Sequence, residues 1–296
     1  MPETGATKEG FPPQVKSFGR AVIVLAVLFA LPLFRLVVFA IQSDLHSYVL
    51  IIPAVSYYLA SLEKKHLHTF SSPAMRTGLV FAVAGLAMAA WYWLAPSLPQ
   101  ADSLARITAA FVLLVMAAGF MILGGGLMRQ LAFPFGLLIF MIPMPDGLRD
   151  SVETGLQHGS AMVAGWFFAA SDIPVWQDGL SFKLPGITLI VAQECSGIHS
   201  TVVLFITSLV AGKLFLQQPW KRTVLCLAVI PLALVRNGFR ILVLGELCVH
   251  IGPRMINSQI HRHGGPIFFA LSMIPFLLLL YVLRRYWRPV SGPSKN

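Results

Sequence analysis

Apolar runs of about 18 residues or more recur along this chain, each long enough to cross a hydrocarbon core of roughly 30 Å. Backbone polar groups within lipid must be satisfied inside the segment, so runs of this kind cross as helices. Of the 296 residues, 56% are hydrophobic and 11% charged, against roughly 25% charged in an ordinary soluble domain. No long charged or amphipathic region is left to build a large soluble core. The chain is expected to be an all-α polytopic membrane protein.

Eight spans are expected, at about residues 20–41, 47–61, 77–95, 104–124, 130–145, 196–215, 222–250 and 266–284. Basic residues then assign the sides, because short cytoplasmic connections collect Lys and Arg. The N-terminus, EKKHLHTFSSPAMR, GLMRQ, QQPWKR and RRYWRPVSGPSKN are basic and read as inside. QSDLHS, APSLPQADS and PMPDGLRDSVETG are poor in Lys and Arg and read as outside. This alternation gives cytoplasmic tails at 1–19 and 288–296, a single multi-span domain over 20–287, and multi-pass residence in the plasma (inner) membrane. Lys8, Lys16 and Arg20 before Ala21–Ile41 mimic a secretory leader. That apolar region is too long and no small-x-small site follows, so it reads as an uncleaved first span.

The formal net charge is +10, yet no basic domain with interleaved aromatics points to nucleic acid. The cations lie between apolar runs, where they set topology and meet anionic lipid. The three cysteines, Cys195, Cys226 and Cys248, show no CxxC spacing, so no disulfide framework is expected.

Residues 146–194 form the one long outside connection. Asp146 to Ala170 reads as a partly apolar, amphipathic helix lying on or dipping into the membrane. After it, Val175-Trp176, a turn at Asp178-Gly179, and Leu180 to Leu184 alternate as a strand does. Pro185-Gly186 makes a second turn before the β-branched run Ile187–Val191. A small extracytoplasmic β-hairpin is therefore expected just before the sixth span, with Trp176 and Phe182 as its substrate-contacting side chains.

That hairpin leads into VAQECSGIHS, Val191 to Ser200. Cys195 would stand at the outer N-terminal end of the sixth span. Unpaired N–H groups and a partial positive charge there lower a thiol's pKa and favour the nucleophilic thiolate. Simple packing is the alternative for Cys195, and the expected role for Cys226 and Cys248. In LVRNGFRILVLGEL, Leu234 to Leu247, Arg240 lies nearly 30 Å beyond Lys221 along a helix, at about the level of Cys195. Asn237 and Arg236 are three and four residues earlier on the same face. An arginine snorkelling to the interface is the competing reading. Glu246 is expected as a polar partner in the outer loop. HRHGGPIFF, His261 to Phe269, adds histidines able to exchange protons near neutral pH.

A thiol, a fixed cation and a general acid/base at one membrane face are what acyl transfer through a thioester requires. A rival reading is a zinc site, and hence a zinc-dependent hydrolase. Cys195 and His199 would lie at i and i+4 on one helical face, with His261-x-His263 and Glu194 nearby. The spacing matches no structural zinc pattern, so no metal and no cofactor are expected. A non-catalytic transporter or scaffold of surface-polymer assembly is the alternative from another class, with Arg240 and His261 as polar pathway residues.

The chain resembles the exosortase/archaeosortase family of membrane sorting enzymes. The resemblance rests on ECSG at 194–197, N-x-x-R at Asn237–Arg240, H-x-x-x-G-x-x-F-F at His261–Phe269, and a weaker echo at MIPMP, 141–145. It implies a cysteine transpeptidase acting on exported proteins that carry a C-terminal signal of motif, hydrophobic span and basic cluster. An acceptor nucleophile of unknown identity would receive the cut product. Carried over residue by residue, Cys195 is the nucleophile, Arg240 the oxyanion-stabilising cation and His261 the acid/base. Glu194, Gly197, Asn237, Arg236, His199 and His263 would support them. Arg262 stands where many members carry Asp, and His199 at a position where Arg is among the alternatives, so His261, His263 and His199 all stay open as the acid/base. Gly265, with Gly264, would let substrate approach closely.

Overall fold

The computed structural model describes residues 13–63, 72–94, 98–171, 173–193, 196–252, 254–255 and 265–285. It divides into two compact units between Leu148 and Arg149. Among the described residues, five single helices are long and apolar enough to cross a membrane, and two sharply bent pairs raise the number to seven if each is one span.

In the first unit, α1 (Pro13–Leu28) and α2 (Ala30–Gln42) meet at 76°. A 3-10 turn, Ser47–Leu50, precedes α3 (Ile52–Leu62). Eleven residues rise only about 16 Å, so the expected span at 47–61 is a helix too short to cross alone. α4 (Met75–Leu94) and α5 (Gln100–Ile122) form an antiparallel pair. A Cβ on Gly78 would meet Met121, and one on Gly85 would meet Leu114 and the Ala110 carbonyl oxygen, at 3.2 Å or less in each case. These glycines let the two backbones approach as membrane helices often do. The most apolar stretch of α5 is 56% buried and that of α4 only 11%, so α5 is the core of its unit and α4 presents Val80, Val83 and Leu86 outward. α6 (Gly124–Gln130) and α7 (Ala132–Leu137, continued by a 3-10 turn to Met141) meet at 72°, α6 standing where a connection is expected and α7 where the fifth span is.

These breaks have a common cause. A proline has no N–H for the carbonyl four residues back, and its ring clashes with that carbonyl. Pro32 follows the end of α1 at Leu28 by four residues, and Pro134 follows the end of α6 at Gln130 by four. In the second unit Pro231 stands in the same relation to Leu227, where α10 (Pro219–Leu227) gives way to α11 (Val229–His250). That junction stays straight enough for Pro219–His250 to count as one 32-residue span.

The second unit holds the cysteine, arginine and histidine motifs. α8 (Asp146–Ala169) is one helix of 24 residues. Gly159 sits beside Leu234, Val163 and Ala164 beside Gly238, and Phe168 beside Gly245, so α8 follows α11 side by side in the same chain direction. Glycine on α11 and Ala164 on α8 permit that closeness.

Three strands follow, one more than a hairpin: β1 (Trp176–Asp178), β2 (Ser181–Leu184) and β3 (Ile187–Ile190), antiparallel in that order. Gly179 and Gly186 take positive φ at the two turns. Phe182 pairs with Gln177 and Leu189, whereas Lys183 pairs with Trp176 and Thr188. Phe182, Leu184 and Leu189 therefore face inward, and Trp176, Lys183, Thr188 and Ile190 face out. The inner face closes on Phe168, Ile241 and Cys248. α9 (Ile198–Phe215), α11 and α12 (Gly265–Arg285) complete the unit around Leu204, Leu225 and Phe276.

Candidate active site at the start of helix nine

β3 delivers the chain to the cysteine motif. Its ladder extends one residue further, the Val191 N–H donating to the Leu180 carbonyl at 2.9 Å. The Val191 carbonyl accepts a hydrogen bond from Nε2 of Gln157 on α8. Beyond it the Ser196 N–H donates to the Gln193 carbonyl at 2.9 Å. Ser196 is buried, its Oγ without a hydrogen-bond partner among the described residues. Glu194 and Cys195 lie outside the described residues.

Gly197 is the residue before α9, with φ +69° and ψ 23°. That left-handed backbone suits glycine and costs other residues about 1–2 kcal/mol. Its carbonyl accepts three donors: the Thr201 N–H at 3.0 Å, Thr201 Oγ1 at 2.9 Å and Nη2 of Arg236 at 3.1 Å. Space is as tight as the backbone is special, since a Cβ on Gly197 would stand 2.7 Å from Arg236 Nη2 and 3.4 Å from Asn237 Oδ1. Gly197→Ala is therefore expected to lower the thermal midpoint in detergent and displace Arg236, a loss of at least ~1–2 kcal/mol. Gly212→Ala, where the nearest atom lies 3.5 Å away, is the control and should change little.

The helix begins at Ile198, directly after the left-handed Gly197. His199 is a half-buried residue of the first turn of α9. Among the described residues no group of three His, Cys, Asp or Glu side chains gathers to hold a metal.

α11 supplies the second motif. Arg236 and Asn237 are both buried, and Arg240 is half-buried. Arg236 does not snorkel; it donates inward to Gly197 and, at 3.4 Å, to Thr201 Oγ1. Arg236 Nη1 is buried without a hydrogen-bond partner among the described residues. Glu246 belongs to α11 rather than to a loop, with Oε2 3.1 Å from His250 Nε2. Cys226 accepts from Ser208 Oγ at 3.4 Å and Cys248 is a core residue, which agrees with packing roles.

His261 and His263 of the third motif lie outside the described residues, but its end does not. Phe268 on α12 meets Phe239 edge to face at 6.4 Å, and Phe239 meets Phe167 of α8 at 6.3 Å. Gly265 opens α12, with no atom of the described residues within 4 Å of where its Cβ would stand. The described parts of all three motifs therefore converge on Arg236–Phe239 of α11.

Trp176 is 69% exposed and Phe182 is fully buried, its ring 5.3 Å from that of Phe168. Of the two aromatic residues expected to contact substrate, only Trp176 offers a surface; Phe182 holds the sheet to α8. An open groove lined by His158, Met162, Trp166, Gln177 and Leu180 separates α8 from the β1–β2 turn.

Sequence reasoning missed Gln157 and Thr201. Gln157 and Ser160 share a stripe with Ala161, Ala164 and Phe168 at helical spacing, all buried. A polar residue on an otherwise small and apolar stripe was the available signal.

A mostly helical membrane scaffold with a small three-stranded sheet carries these motif segments, and comparison with known families agrees. The transmembrane exosortase family (Exosortase_EpsH) matches residues 40–278, and the chain belongs to it. No curated protein and no solved structure matches the chain.

Proposed function

We propose that this chain is a membrane-embedded cysteine peptidase or transpeptidase that cuts the C-terminal sorting signal of exported proteins at the extracytoplasmic face. The observation that carries this reading is the meeting of the first and third motif segments with the second on α11, where Gly197 meets Arg236 and Asn237 and Phe268 meets Phe239. Cys195, two residues before Gly197, attacks the scissile carbonyl as a thiolate, forming a C–S bond. Arg240 stabilises the oxyanion of the tetrahedral intermediate. One of His261, His263 or His199 gives a proton to the departing amine as the C–N bond breaks. Attack on the thioester by an acceptor nucleophile, or by water, releases the product and restores the thiolate.

A substrate anchored by its own span presents the cut site at a fixed depth, so the membrane aligns the reactants and lowers the entropy cost of their meeting. Both termini lie in the cytoplasm on this reading. Exposed Trp176 and the groove beside α8 receive the substrate segment preceding the cut. Trp176→Ala should therefore slow processing several-fold while changing stability by no more than about 0.5 kcal/mol; unchanged processing removes the sheet from substrate recognition.

The test follows an exported reporter with a motif, span and basic-cluster tail by gel shift. It is co-expressed with the wild type or with Cys195→Ala at matched membrane levels. Shortening by the wild type alone supports the reading; equal shortening by both overturns it. Excess EDTA in isolated membranes should leave the rate unchanged, since the proposed chemistry needs no metal.

A further inference from the structure

Two buried side chains grip the chain on either side of the cysteine motif. Gln157 on α8 donates to the Val191 carbonyl, and Arg236 on α11 donates to the Gly197 carbonyl. Both residues are 8% exposed, so each carries a desolvated polar group whose bond is costly to lose. Neither lies in β3 or α9, the elements the segment connects. Their host helices approach closely at Gly159, Gly238 and Gly245, so the two grips come from neighbouring helices. We infer that Gln157 and Arg236 are positioning residues that clamp the two ends of Val191–Gly197 and thereby set the place and charge environment of Cys195.

The two grips differ in kind. Gln157 is neutral and can only hold the backbone. Arg236 adds a full positive charge beside the N-terminus of α9, which already carries partial positive charge and lacks a side-chain cap. Cys195 is two residues ahead of Gly197 in the chain. A cation close to a thiol favours thiolate over thiol.

The inference rests on the reading of Cys195 as nucleophile, but its decisive measurement does not need turnover. Alkylation of Cys195 by iodoacetamide is followed against pH in the full-length protein in native membranes, with the modified peptide quantified by mass spectrometry. Arg236→Gln should raise the alkylation midpoint by about one pH unit and slow reporter processing. Arg236→Lys, which keeps a cation without the planar fork, should hold the midpoint near that of the wild type and recover part of the processing. Gln157→Leu should slow processing with the midpoint unchanged, because no charge is lost, and should change the limiting alkylation rate at high pH.

A midpoint unmoved in Arg236→Gln overturns the electrostatic half. A limiting rate unmoved in Gln157→Leu overturns the clamp. If Arg236→Gln does not accumulate, Arg236→Lys decides: processing and alkylation both equal to wild type count against a role for the fork. Normal processing by Cys195→Ala would remove the nucleophile reading and leave these alkylation results to stand by themselves.

Discussion

Cys195→Ala should leave the reporter tail at full length, a loss of roughly 10³-fold or more, because removing a nucleophile removes the covalent route itself. Wild-type membranes treated with hydroxylamine should release a shortened reporter, since that strong nucleophile intercepts a thioester, while Cys195→Ala releases none. Arg240→Ala should fall nearly as far: loss of an oxyanion donor costs about 10²–10³-fold. Arg240→Lys should recover little if the guanidinium fork is what positions the charge. The double variant Cys195→Ala, Arg240→Ala should process no more slowly than Cys195→Ala, because the cation has no oxyanion to stabilise once the thiol is gone. Full processing by Cys195→Ala would return the cysteine motif to a packing role and favour a transporter or scaffold.

The second large effect is on stability. Phe182→Ala should destabilise the second unit by about 3–5 kcal/mol, the usual cost of truncating a fully buried aromatic side chain. Three strands of three or four residues do not hold themselves together in water. The sheet persists because Phe182, Leu184 and Leu189 close on Phe168, Ile241 and Cys248. The cavity left by the ring would free the sheet from α8 and loosen Val191, and through it the approach to the cysteine motif. Thermal unfolding in detergent should show a clear fall for Phe182→Ala and almost none for Trp176→Ala. Equal midpoints for the two would mean that the sheet does not share a core with α8.

Where the sequence could be read and where it could not follows from the range of the interactions concerned. Apolar run lengths report a local quantity, so the membrane character and helices near 77–95, 104–124, 196–215, 222–250 and 266–284 were legible. The expected span at 20–41 falls in a bent pair, and that at 130–145 is only the second half of one, whose first half, Gly124–Gln130, is the expected connection; at each break a proline outweighs the apolar run. The span at 47–61 ends as a helix of eleven residues. Alternation at 180–191 revealed two strands, and Trp176–Asp178 proved to be a third. Period-2 patterning also separates Phe182 from Lys183 but does not say which face meets the protein, and Phe182, expected to contact substrate, is a core residue.

The amino-acid sequence by itself determined that this is a helical membrane protein, where its cysteine, arginine and histidine motifs stand, and which family they resemble. Those properties depend on residue type and spacing, which a chain carries without folding. Only the tertiary structure decided that Arg236 reaches the turn before α9, that Gln157 holds its other side, and that α8 runs along α11. Gln157 and Val191 are 34 residues apart, and Gly197 and Arg236 are 39. Bonds across such separations are set by helix packing through Gly159, Gly238 and Gly245, where the absence of a side chain lets two backbones meet and no local pattern says which two.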